Sequence, residues 1–232
     1  MRVEVTSIEL GLLDGLELTA NGRPVDLPLS AQRLLAFVAL GTRPLRRTYV
    51  AGALWSDTTE DRAAASLRST LWRLRSQVPN VVEAGTARLR LASGVRIDFQ
   101  EMVRCLTDLS AQGSRVAVDA GLLPLTAELL PDWYDDWVHV EREQYRQFRL
   151  HALEAISEKL LGERRFAEAI QFSLAVIAAE PLRDSAYRLL IRAHLGEGNR
   201  SEAIREFRDY RDRLRRELGV EPAPDVQSLV AS

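Results

Sequence analysis

Apolar and polar positions alternate over residues 3 to 28. Val3 and Val5, then Leu16 and Leu18, then Val25 and Leu27 each place apolar side chains on one face, as strands require. Asn21-Gly22 between the last two runs predicts a two-residue hairpin, because both residues tolerate the positive φ of its turn. The period then becomes helical. Ser30 is expected to cap a helix that carries Leu34, Leu35, Phe37, Val38 and Leu40 and ends at Gly41, and Thr48 to cap a short one running to Trp55. A third helix is predicted over about 60–78, with Glu60 and Asp61 at its positive end. Its Leu67, Leu71, Leu74 and Val78 recur at spacings of four, three and four, which makes one buried stripe. Arg62, Ser66, Ser69 and Arg73 recur the same way about 140° around the axis, leaving that face free to enter a groove. Past Pro79-Asn80, Val81-Val82-Glu83 and Arg88-Leu89-Arg90-Leu91 flank Ala84-Gly85-Thr86 as a hairpin, with Arg88 and Arg90 on one face of its second strand.

From Phe99 onward strand patterns cease and helical periodicity takes over. Leu161-Gly162-Glu163 recurs as Leu195-Gly196-Glu197, and Glu168-Ala169-Ile170 as Glu202-Ala203-Ile204, each displaced by 34 residues. That is the tetratricopeptide period, and the matches fall where a helix ends near a glycine and a second starts at Ala167 or Ser201. Ala169 and Ala203 are small where the two helices of a pair must come close. Stacked pairs of this kind bury one face and leave a concave surface for peptides or proteins. The expected fold class is therefore an α+β N-terminal module followed by an all-α helical repeat.

Charge sharpens this division. The chain of 232 residues has a formal net charge of −2, yet it carries 13 basic and 10 acidic residues through Asp98, and 18 and 23 after it. Residues 30–97 hold eleven arginines against four acids, a net of +7. A basic module joined to an acidic one points to nucleic acid in front and protein behind. Arg can pair in bidentate fashion with guanine, and Ser or Thr can meet several bases, so Ser66, Ser69 and Arg73 are candidate base-facing residues. Arg46, Arg47, Arg62, Arg68, Arg75, Arg88 and Arg90 are candidates for the phosphate backbone. Helix, turn, helix and then an arginine-bearing hairpin is the order of a winged helix.

The chemistry of catalysis has little to stand on. His139, His151 and His194 lie in helical stretches without metal-type spacing, no Walker-type glycine loop occurs, and Cys105 is the sole cysteine. A binding protein without catalytic residues, metal or cofactor is expected. The single cysteine fits a reducing, cytoplasmic compartment, and the N-terminus lacks the plan of a signal peptide. No apolar run approaches the roughly 20 residues of a membrane span. Trp133, Tyr134, Asp135, Asp136 and Trp137 mix aromatic and acidic side chains just before a helix, a composition that suits either packing between modules or a partner-binding anchor.

Residues 1–97 resemble the OmpR/PhoB-type winged helix, with Leu67-Arg68-Ser69-Thr70-Leu71-Trp72-Arg73-Leu74-Arg75 similar to its recognition-helix segment. The resemblance puts Thr70 and Arg73 at or near bases and Arg75 and the hairpin arginines on the backbone. Trp72 stands where relatives carry a further basic residue, and packing between the modules is its expected role. Residues 98–232 resemble the bacterial transcriptional activator domain through Leu-Pro-Asp-Trp-Tyr-Asp-Asp-Trp (130–137), Arg149-Leu150-His151-Ala152-Leu153, Ala179-Glu180-Pro181-Leu182-Arg183, Leu190-Ile191-Arg192-Ala193-His194 and Glu217-Leu218-Gly219-Val220-Glu221-Pro222. The whole chain is similar to the Streptomyces antibiotic regulatory protein family. That similarity implies an activator that binds direct repeats in double-stranded DNA upstream of promoters and recruits RNA polymerase through its sigma factor and other subunits, for a secondary-metabolite gene cluster. The sequence stops after the activator-domain resemblance, so the nucleotide-binding and sensor domains of larger relatives are not expected. One recognition helix per chain favours two copies on DNA, as a homodimer or in tandem. The alternative is a tetratricopeptide adaptor whose basic winged helix does not read DNA sequence.

Overall fold

A computed structural model of the chain describes residues 7–111 and 124–231. The expected strands at Val3 and Val5 lie outside the described residues. The chain forms two units, residues 1–102 with 129–142, and residues 103–128 with 143–232.

In chain order the first unit carries β1 (Ile8–Gly11), β2 (Glu17–Ala20), β3 (Arg23–Pro24), α1 (Leu29–Leu40), β4 (Leu45–Arg46), α2 (Arg47–Leu54), α3 (Glu60–Gln77), β5 (Val82–Ala84), β6 (Arg88–Leu91) and β7 (Val95–Ile97). One sheet has the order β3-β2-β1-β7, with β1 antiparallel to β2 (Leu10 opposite Leu18) and parallel to β7 (Leu10 opposite Ile97). The expected Asn21-Gly22 turn joins β2 to β3, and its residues take φ of 52° and 72°, as a type I′ turn demands. A second sheet, β4-β6-β5, holds the expected arginine hairpin. The core lies between the helices: Leu34 and Leu35 of α1, Val50 and Leu54 of α2, and Leu67, Leu71 and Leu74 of α3 are all buried, with Val78, Val81 and Leu89 closing it toward the hairpin.

Two helix starts differ from expectation. α1 begins at Leu29 behind Pro28, and α2 at Arg47 behind Arg46, with no side-chain cap at either, so Ser30 and Thr48 sit inside the first turn rather than before it. Leu45-Arg46 pairs with β6, and that pairing rather than Thr48 sets the entry to α2.

Residues 129–142 complete this unit. Leu129 bridges Leu13, and the Leu130 amide donates to the Leu12 carbonyl at 2.9 Å. Arg33 of α1 reaches Asp135 through its Nε at 3.0 Å, and the Trp137 ring meets Phe37 edge-on with centroids 5.0 Å apart. Arg142 holds the segment's own curl by donating to the carbonyls of Leu129 and Trp133, both at 2.9 Å, and of Leu130. Asp98 opens the next helix, α4 (Asp98–Ala111), and its carboxylate accepts from the amides of Leu12 (2.8 Å), Leu13 (3.1 Å) and Phe99 (2.6 Å). Burial nonetheless raises its pKa above the ordinary aspartate value.

The second unit continues with the later turns of α5 (Asp136–Gly162), then α6 (Phe166–Ala179), α7 (Asp184–Gly196), α8 (Arg200–Glu217) and the short α9 (Pro224–Ser228). The 34-residue displacement relates the ends of α5 and α7 and the starts of α6 and α8, each within a residue of expectation, and Ala169 and Ala203 are fully buried. Ser157 of α5 donates to the Ala169 carbonyl at 3.1 Å and bonds Ser173 at 2.8 Å, so two buried hydroxyls satisfy each other. Tyr187 and Tyr210 stack with centroids 3.9 Å apart, and the Tyr210 hydroxyl donates to Asp184 at 2.6 Å; burial, with the adjacent carboxylate, pushes that phenol well above the ordinary tyrosine range.

The two repeat glycines are not equivalent. A Cβ on Gly196 would lie 2.4 Å from Cε1 of Phe166, whereas one on Gly162 would meet nothing within 4 Å. Gly196→Ala is therefore expected to cost about 1–3 kcal/mol by overpacking the ring against its neighbours. Gly162→Ala is expected to be neutral or slightly stabilising, since it only limits the freedom of the unfolded chain. Paired urea melts of the two variants check this, and equal shifts in midpoint would contradict it.

Candidate nucleic-acid interface

The two faces of α3 separate as the period requires. Ala63, Leu67, Leu71 and Leu74 point inward, while Arg62, Ala65, Arg68, Ser69, Trp72, Arg73, Arg75 and Ser76 are exposed and Ser66 is half-buried. Thr70 is only 4% exposed. It lies about 70° from the centre of the apolar stripe, too near the core side for its hydroxyl to reach a base, and this moves Thr70 from the reading face to the packed one. Trp72, expected to be buried by packing, is 72% exposed.

Beyond α3, the second sheet gathers arginines that are far apart in sequence. Arg46 of β4 stands directly opposite Arg88 of β6, and Arg90 follows on the same face opposite Glu83 of β5. Arg90 donates to Glu83 at 2.6 Å, so one charge of this row is neutralised within the hairpin. Arg46 and Arg88 form no ion pair among the described residues, and nor do Arg62, Arg68 and Arg73 on α3. Like charges facing each other across strands are unfavourable by a few tenths of a kcal/mol to about 1 kcal/mol. A phosphate resting against the pair removes that cost.

Two arginines tie the elements together. Arg75, in the last turn of α3, donates to the Ala84 carbonyl at 3.4 Å, and Arg47, the first residue of α2, donates through its side chain to the Gly85 carbonyl at 3.3 Å. The Arg47 amide also donates to Ala87 at 3.0 Å. Both side chains therefore position the hairpin turn against the helices, in addition to carrying charge. The contact between Arg46 and Arg88 escapes sequence reading because β4 is only two residues long and shows no alternation. The arginine pair at 46 and 47 was its one trace.

The aromatic and acidic segment divides. Trp133, Asp135 and Trp137 are half-buried and engaged within the first unit, Asp135 by Arg33 and by Trp137 Nε1 at 3.3 Å, and Trp133 and Trp137 by an edge-on contact at 6.2 Å. Tyr134, 83% exposed, and Asp136 remain open to solvent. Among the described residues no group of three His, Cys, Asp or Glu side chains is arranged to hold a metal ion, and no helix is long and apolar enough to cross a membrane.

Comparison with known proteins settles the kinship. The sequence model of the bacterial transcriptional activator domain matches residues 98–232, more than half of the chain. The chain belongs to this family. Its relatives include the regulatory protein AfsR of Streptomyces coelicolor, 32% identical over 203 residues, which covers 79% of this chain and 20% of AfsR. The transcriptional regulatory protein EmbR of Mycobacterium tuberculosis is 25% identical over 245 residues, covering 96% of this chain and 62% of EmbR. These similarities make this activator-domain protein a member of the Streptomyces antibiotic regulatory protein family. It spans about a fifth of the length of AfsR and under two thirds of EmbR. Its fold is that of EmbR from M. tuberculosis, solved in complex with a low affinity phosphopeptide: the TM-score is 0.71 at 23% identity, over 96% of this chain and 64% of that one.

Proposed function

We propose that the chain is a sequence-specific, double-stranded DNA-binding transcriptional activator. Residues 1–97, completed by 129–142, act as an OmpR/PhoB-type winged helix, with α3 in the major groove and the β5–β6 hairpin as its wing. Arg73 and Ser69, with Ser66 beside them, read bases. Arg62, Arg68, Arg46 and Arg88 rest on phosphates, while Arg47, Arg75 and Arg90 support the wing as well as the charge. The observation that carries this reading is the facing pair Arg46 and Arg88, two uncompensated cations held opposite each other on the sheet that Arg75 joins to α3. Residues 98–232 form the activator domain, with tetratricopeptide-like helix pairs. Direct repeats are the operator, two copies occupy them, and recruitment of RNA polymerase through its sigma factor serves a secondary-metabolite cluster. The exposed Tyr134 and Asp136 are the part of the aromatic segment left to meet that partner.

A salt titration with purified protein and duplexes from the promoters beside its gene tests the proposal. The logarithm of the binding constant is expected to fall by about 0.9 per neutralised phosphate for each tenfold rise in salt, and Arg88→Ala should lower that slope by about one contact while weakening all sequences alike. Arg73→Ala is expected to cost about 1–3 kcal/mol on the cognate site and to relax one base position. Equal losses on cognate and random duplexes for Arg73→Ala would show that another face reads the bases. No binding at low salt would leave the adaptor reading in its place.

A further inference from the structure

On α3 the exposed arc runs from Arg75 through Arg68, Trp72, Ala65, Ser76 and Ser69 to Arg62 and Arg73. Trp72 lies near the middle of that arc, about 60° from Ser69. Its neighbours one turn away are Arg68 and Arg75 on one side and Ser69 and Ser76 on the other, with Ala65 two turns back, and 72% of the residue is open to solvent. Single exposed apolar side chains are ordinary on protein surfaces. This one stands among uncompensated arginines and small hydroxyls, on the face that the proposed function turns toward DNA. Ser69 and Ser76 leave the side of the indole toward Arg73 uncrowded, and the ring is the large apolar group that this face presents to a groove. In the major groove the thymine C5-methyl is the apolar group a base pair presents, so an indole pressed there has one base to favour.

We infer that Trp72 is a specificity-determining residue that packs its indole against a thymine C5-methyl in the major groove, within one helical turn of the base pair read by Arg73. This rests on the proposal that α3 reads duplex DNA. It assigns to Trp72 a sequence preference, in place of the phosphate contact that a basic residue would make there.

The test begins with the full chain and a random-sequence duplex pool, from which bound duplexes are enriched and sequenced. Each thymine of the enriched site is then replaced singly by deoxyuridine, which removes the methyl and nothing else, and Kd is measured for the wild type and for Trp72→Ala. One replacement is expected to weaken the wild type about fourfold, the worth of one buried methyl, and to leave Trp72→Ala unchanged. The uracil comparison with the wild-type chain does not depend on the variant's folding. Wild-type affinity indifferent to every replacement would overturn the inference while leaving DNA binding intact. So would a Trp72→Ala defect seen only on duplexes with two sites, which would place the indole between two copies of the chain. Failure to enrich any sequence would instead overturn the reading of DNA by α3, and the Trp72 assignment with it.

Discussion

A chain cut after Ile97, the last residue of β7, is expected to show no cooperative thermal unfolding. The cut removes Asp98, leaving the Leu12 and Leu13 amides without the carboxylate they donate to. It also removes Leu129, Leu130 and Val138, each fully buried, together with the Trp137 ring on Phe37. At roughly 1.5–3 kcal/mol per buried aliphatic side chain the loss is about 5 kcal/mol or more, comparable with the whole stability of a small domain. Circular dichroism melts of residues 1–97 and of the full chain decide the matter. A sharp transition in the fragment, close to that of the parent, would show that residues 129–142 decorate the module without completing it.

Glu154→Ala is expected to cost about 2–3 kcal/mol at neutral pH. Glu154 on α5 receives Arg183 in fork fashion, Nε at 2.7 Å and Nη2 at 2.8 Å, and accepts from the Ser185 hydroxyl at the start of α7. Arg183 and Ser185 are half-buried, so removing the acid leaves a guanidinium and a hydroxyl without their partner where access to water is limited. Burial opposes ionisation of Glu154, but the bonds from Arg183 and Ser185 outweigh it and hold its pKa below the ordinary glutamate value. An acid whose folded pKa is depressed stabilises the fold fully above its unfolded value, and that contribution is lost as pH falls through the folded one. The difference in melting temperature between wild type and Glu154→Ala should therefore be constant through neutral pH and shrink in acid. A difference independent of pH would mean that the side chain acts only through packing.

What was legible in the sequence follows from the length of each signal. The α3 stripe spans 18 residues and repeats its period several times, so both its buried face and its arginine face could be placed. Asn21-Gly22 was legible because its chemistry is local. β4 and β7, of two and three residues, carry too few positions to show alternation, and they exist because longer strands elsewhere offer them an edge. Ser30 and Thr48 look like caps by residue type, yet each helix is capped two residues earlier, at Pro28 and at Arg46, the latter held in strand pairing with β6. Thr70 sits at the boundary of the two faces, where spacing alone does not decide which way it turns. The acids and tryptophans of 129–142 were visible as a cluster, but their partners Arg33 and Phe37 lie about a hundred residues upstream, beyond any local pattern.

The facing arginines 46 and 88 have a thermodynamic reciprocal. Their repulsion opposes the pairing of β4 with β6, and under the proposed function an anion that relieves it gains in affinity whatever the sheet gains in order. A firmer wing and a bound phosphate backbone would then be two expressions of one free energy. Under the proposed function, ordering of the hairpin and grip on phosphate are coupled, so any change at these two residues alters both together.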